Sequence, residues 1–94
     1  MYFVYILVCL QSRRSYVGHT DNLIRRFDLH RAGSTRTTRE KLIEPVMIYW
    51  EASPSRAEAM RRERYFKAGS GYRVKYAIIQ ERLMLFHAEV QPAA

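Results

Sequence analysis

Ninety-four residues carrying a formal charge of +7, with a pI near 10.0, allow one domain and favour polyanionic partners: nucleic acid, an anionic membrane surface or an acidic protein. A 48 % hydrophobic content with seven Tyr, four Phe and one Trp excludes a disordered chain, although a domain of this size buries only about 60–65 % of its unfolded surface. The single Cys9 excludes an internal disulfide and fits a reducing compartment, and no window reaches the roughly 18 apolar residues of a membrane span, so cytoplasmic residence is expected.

Tyr2 to Leu10 is apolar in both alternating sets, Tyr2/Val4/Ile6/Val8/Leu10 and Phe3/Tyr5/Leu7/Cys9. It lacks a basic n-region and a small-residue cleavage site, so it reads as a central strand and not as a signal peptide. Gln11 to Ser15 is a short polar hairpin loop, and Ser15 to Thr20 returns antiparallel as a second strand. Gly18 inside that strand marks a bulge or a close approach to the backbone.

Asp21 or Thr20 caps a first helix over Asn22 to Arg31, ended by Gly33, with Leu23, Ile24 and Phe27 as its buried stripe. Arg26 and His30, spaced i,i+4, share one flank of it, while Arg25 and Arg31 point to solvent. Gly33 to Glu44 has little hydrophobic pattern and reads as a basic loop.

Pro45 precedes a strand-type run, Val46 to Trp50, ended by Glu51 to Ser53. Pro54 and the capping-box pattern Ser55-x-x-Glu58 start a second helix, Arg56 to Ala68, whose inward stripe is Ala59, Met60, Phe66 and the stem of Lys67. Glu63 falls within that stripe, and a carboxylate on a buried face costs several kcal/mol unless it is paired or binds a metal. Gly69-Ser70-Gly71 breaks the chain before a third helix, Tyr72 to His87. Residues 1–87 form one domain in this reading and 88–94 a flexible tail. The fold class is α/β (α+β), a three-stranded antiparallel sheet flanked by helices in the order β-β-α-β-α-α.

Val4-Tyr5-Ile6, Tyr16-Val17-Gly18, the Arg26/His30 helix and the later Glu63, all in register, resemble the GIY-YIG nuclease superfamily. The likeness is closest to its small stand-alone members, related to the N-terminal domain of an excision-repair nuclease, and covers about Met1 to Ala77. It departs from the pattern in its first triplet, where only the tyrosine matches. His19 stands where some repair members have a lysine, and Lys75 where several nucleases have an asparagine.

The resemblance implies a metal-dependent endonuclease acting on DNA. Its substrate is expected to be recognised by structure or through a protein partner, because so small a domain has little surface for base readout. Glu63 is implied to hold Mg²⁺ or Mn²⁺, Arg26 to contact phosphate, Tyr5 to orient water or the ion, and Tyr16 or His30 to act as general base. A free tyrosine titrates near pH 10, so it needs a depression of about two to three units, whereas histidine needs almost none. Substrate contacts are expected from Gly18, Arg25, Arg36, Arg39, Lys41, Lys67 and Lys75, in a monomer or weak dimer. The same residues also suit a non-catalytic nucleic-acid-binding module, with the tyrosines as ordinary strand aromatics and Glu63 in a structural salt bridge.

Overall fold

A strand apolar on both faces needs cover on both, and that requirement sets the architecture. The computed structural model describes residues 1–32 and 45–90, with side chains through residue 85. Strand β1 (Tyr2–Cys9) lies at the centre of a sheet of order β2-β1-β3, antiparallel to both β2 (Ser15–Thr20) and β3 (Pro45–Ser53). Helices α1 (Leu23–Arg31), α2 (Arg56–Lys67) and α3 (Gly69–Val90) complete the expected β-β-α-β-α-α order.

The two faces of β1 build two separate cores. Val4, Ile6 and Val8 pack with Val17 of β2 and with Ala59, Phe66, Ile79 and Leu83 from α2 and α3. Tyr5, Leu7 and Cys9 pack with Tyr16, Leu23, Phe27 and Met47 on the α1 side. Each fully buried large apolar side chain contributes about 1.5–3 kcal/mol relative to exposure. β3 carries a bulge: Tyr49 stands opposite Ile6 and Met47 opposite Leu7, leaving Ile48 unmatched between them. Ile48 and Tyr49 both pack against the α2/α3 core as a result. An ion pair from Arg62 to Glu51 (2.9 Å), with Tyr49 donating its hydroxyl to the same carboxylate, ties α2 to β3.

Four local expectations need correction. The N-cap of α1 is Asn22, whose Oδ1 accepts from the Arg25 N–H at 3.0 Å, in place of Asp21 or Thr20. Ile24 is 78 % exposed, so the inward face of α1 is Leu23, Phe27 and His30. On α2, Ala59 and Phe66 are buried as expected, and the Ser55 hydroxyl accepts from the Glu58 N–H, but Met60 and Lys67 are exposed. Gly69-Ser70-Gly71 opens α3 instead of separating two helices, and that helix runs on to Val90. The change of direction is made at Ala68, which is extended, and Gly69, at φ +61°. The loop carrying Arg36, Arg39 and Lys41 lies outside the described residues, as do residues 91–94. Among the described residues no helix is long and apolar enough to cross a membrane.

Gly71 sits where α3 crosses the end of α2, and a Cβ there would fall inside the Tyr65 carbonyl oxygen and against its ring. Backbone cannot yield as a flexible side chain can. Gly71→Ala is therefore expected to lower stability by about 2 kcal/mol or more in urea denaturation. A loss below about 0.5 kcal/mol, the ordinary range for a helix surface position, would show that α3 is not seated this closely.

Candidate active site

The site starts from a hydroxyl that the fold buries completely. Tyr5 is 0 % exposed in the middle of β1, and its partner across the ladder is Gly18. A Cβ at Gly18 would come within 2.5 Å of the Tyr5 hydroxyl oxygen and 2.9 Å of the Tyr16 ring. What approaches the Gly18 backbone closely is thus the Tyr5 phenol, and Gly18, itself buried, admits that ring. The hydroxyl then needs partners of its own, and α1 supplies two. Arg26 donates from Nε to Tyr5 Oη at 3.3 Å, and Tyr5 Oη lies 2.9 Å from His30 Nε2.

These contacts separate the roles of the two α1 residues. His30 does not share the open flank of Arg26: it is 1 % exposed, with its ring packed edge-on to Tyr5 at 5.6 Å and tilted against Tyr16 at 5.2 Å. Burial, reinforced by the Arg26 charge, lowers its pKa to about 4, so it is neutral near pH 7 and hydrogen-bonds the phenol through Nε2. Burial likewise pushes the Tyr5 hydroxyl up to about 12, with Arg26 opposing and the charges of Tyr16 and Glu63 adding to the rise. Arg26 is raised above its ordinary value, first by its hydrogen bond to Tyr5, with burial opposing and Tyr16 adding to the rise. One half-buried guanidinium therefore faces two phenols.

Glu63 comes to this cluster from the other side of the sheet. Tyr5 and Gly18 stand opposite one another on the α1 face, so His19 falls on the α2 face, where its Nδ1 lies 3.1 Å from Glu63 Oε1. Lys67 holds the other carboxylate oxygen at 3.3 Å. Glu63 is 19 % exposed, so it is half-buried and engaged at both oxygens. β2 is an edge strand, and one strand separates Glu63 from the phenols.

Residues 1–77 match the profile of the GIY-YIG catalytic domain. The chain belongs to the GIY-YIG nuclease superfamily. It is 35 % identical over 81 residues to the UPF0213 protein SH2523 of Staphylococcus haemolyticus, covering 86 % of this chain and 96 % of that one. A UPF0213 protein of Lactiplantibacillus plantarum is 37 % identical over 68 residues, 70 % of this chain and 66 % of the relative. Among solved structures, the solution NMR structure of the UPF0213 protein BH0048 from Bacillus halodurans matches with a TM-score of 0.50 at 28 % identity, covering 85 % of each chain.

Within this GIY-YIG domain, Tyr5, Tyr16, Arg26 and His30 meet in one cluster, and Glu63 faces it across β2. Arg25 is exposed on α1, beside a cleft of about 250 Å³ that Asn22 and Arg26 also line. Lys67 lies against Glu63, whereas Lys75 is 8 % exposed and reaches Ser15 Oγ at 3.3 Å, at the start of β2. His19 is the residue that sequence reasoning passed over, counted only as a missing lysine. Strand alternation held the signal, since it turns His19 to the face from which a half-buried glutamate must find a partner.

The buried imidazole makes folding depend on pH. With a folded pKa near 4 and an unfolded one near 6.5, both states are neutral above about 6.5, and the unfolded state alone gains a proton as pH falls from there toward 4. Stability is accordingly expected to fall by about 3 kcal/mol through His30 between pH 7.5 and pH 4. His30→Gln should remove that portion of the slope in urea denaturation, and a slope equal to wild type would contradict this account of the site.

Proposed function

We propose that this GIY-YIG protein is a metal-dependent endonuclease that hydrolyses phosphodiester bonds in DNA, directed by substrate structure or by a partner and not by base sequence. The observation that carries the reading is the half-buried guanidinium of Arg26 held by the buried Tyr5 hydroxyl, with Tyr16 packed on the same Tyr5–His30 pair.

Arg26 spends one N–H on Tyr5, and its remaining donors suit phosphate oxygens on which charge accumulates. The cleft beside Arg26 is lined by Arg25 as a second cation, with Asp21 and Asn22 at its edge, and gives a phosphate access to the guanidinium. Of the two candidate bases, Tyr16 is favoured over His30. The imidazole is sealed inside the fold with Nε2 committed to Tyr5, so it cannot meet an incoming water. Tyr16 is only half-buried, and its hydroxyl is not sealed inside the fold as the imidazole is. Tyr5 and His30 then act as positioning residues that fix where Arg26 points.

Glu63 is the residue that would hold a divalent cation. Among the described residues no three ligating side chains cluster, so such an ion would keep several waters, as Mg²⁺ and Mn²⁺ do with one or two carboxylates. The half-exposed Lys67 can swing off the carboxylate and free one Glu63 oxygen, while His19 donates its Nδ1–H to the other. A cation bound there supplies Lewis-acid stabilisation of the phosphate and leaving oxygen. Engagement of both Glu63 oxygens is also the feature that favours the second reading, a nucleic-acid-binding module without turnover.

Cleavage of branched, nicked and single-stranded DNA, with Mg²⁺ or Mn²⁺ against EDTA, separates the two. The expected result is metal-dependent scission that falls by at least about 100-fold in both Glu63→Gln and Arg26→Ala. Scission that survives Glu63→Gln would overturn the assigned site, and DNA binding without scission of any substrate would establish the binding module.

A further inference from the structure

A second concavity lies apart from the cleft beside Arg26. It is a groove of about 550 Å³ between the β1–β2 turn and α3, lined by Arg13, Arg14, Tyr72, Lys75 and Tyr76 over an apolar floor. Its charge is one-sided. Three cations line it and, among the described residues, no carboxylate does.

Lys75 makes the imbalance acute. Its side chain is 8 % exposed, yet among the described residues its ammonium meets the Ser15 hydroxyl at 3.3 Å and the face of Tyr72 at 4.5 Å, and no carboxylate. A cation this buried ordinarily has an anionic partner. Burial, and secondly the charge of Lys67, lower its pKa, as expected of a site short of negative charge. Arg13 adds a second irregularity, since it holds φ at +63°, a backbone conformation that disfavours any side chain larger than hydrogen. The turn thus keeps a strained arginine beside a second arginine on the groove wall.

Against these cations stand two aromatic surfaces. Tyr72 and Tyr76 are 48 % and 53 % exposed, and their i,i+4 spacing puts them side by side on one face of α3. Exposed rings interleaved with cations match a ligand that alternates flat bases with phosphates. In a duplex the base faces are covered by their neighbours, so only an unpaired strand can present them.

We propose that this groove holds an unpaired segment of nucleic acid, with bases stacked on Tyr72 and Tyr76 and phosphates against Arg13, Arg14 and Lys75. The inference rests on the nuclease reading for the class of ligand and narrows it: the substrate carries a single-stranded region next to the bond that is cut. Ser15, which receives Lys75, shares its face of β2 with Val17 and His19, so a strand leaving the groove along β2 runs toward His19 and Glu63.

The test is binding of wild-type protein, in EDTA, to fluorescein-labelled oligo-dT and to an abasic oligomer of the same length and charge. Oligo-dT is expected to bind at least about fivefold more tightly than the abasic strand. Tyr76→Ala should remove that preference and Tyr76→Phe should retain it, since a phenyl face stacks equally well. Arg14→Ala should weaken both oligomers alike and flatten the salt dependence by about 0.7 in log–log slope. Equal affinity for the two oligomers, or a preference untouched by Tyr76→Ala, would overturn the proposal. DNA scission by the same wild-type protein, measured separately with metal, keeps the two ideas apart. Scission without a base-dependent affinity sinks the groove and leaves the nuclease, and a base-dependent affinity without scission does the reverse.

Discussion

Much of this structure follows from placing one polar atom at the centre of a small sheet. A fully buried hydroxyl costs about 1–3 kcal/mol when it lacks partners, and Tyr5 carries one on the middle strand of three. Satisfying it constrains the elements around it. β2 must present a glycine opposite the ring, and α1 must lie so that His30 and Arg26 both reach the oxygen. Leu23 and Phe27 hold α1 in that position by packing on the same face of the sheet. Once His30 is sealed behind Tyr5, the guanidinium is the charged member of the network left partly open to solvent. The core and the candidate site are in this sense one assembly, and a change meant to weaken catalysis at Tyr5 or His30 will also be felt in stability.

The second organising feature is the thinness of the sheet at its β2 edge. Alternate residues of an edge strand belong to opposite faces, so one six-residue strand brings Tyr16 and Gly18 to the α1 side and His19 to the α2 side. Charges attached to different layers come together without either being deeply buried. Glu63 influences Tyr5 across the strand while remaining half-exposed itself. Lys67 and His19 each hold one of its carboxylate oxygens.

Legibility in the sequence followed the strength of the local pattern. The two-sided apolar run of β1, the short return of β2 and the capping at Ser55 each have a simple physical cause, and the topology came directly from them. Family motifs pointed to Tyr5, Tyr16, Arg26, His30 and Glu63 together. Periodicity failed where hydrophobicity and burial part company. Ile24 looks like a core residue and is exposed, because α1 is anchored by Leu23 and Phe27 and turns a histidine inward. That turn also takes from the histidine the advantage of its ordinary pKa, since the ring is buried. Gly69-Ser70-Gly71 reads as a break from composition alone, whereas the crossing of α2 and α3 demands Gly71 inside a helix. The His19–Glu63 pairing spans 44 positions, and no local rule reaches that far.

The central claim is that Glu63 and the Tyr16/Arg26 cluster form one site across β2, able to hold a cation. Paramagnetic broadening by Mn²⁺ in the amide spectrum of the ¹⁵N-labelled protein tests it without reference to turnover. The account predicts that substoichiometric Mn²⁺ broadens the amides of Glu63, His19, Gly18 and Tyr16 first, and that Glu63→Gln abolishes the effect at the same Mn²⁺ concentration. Broadening centred elsewhere, or surviving in Glu63→Gln, would contradict it.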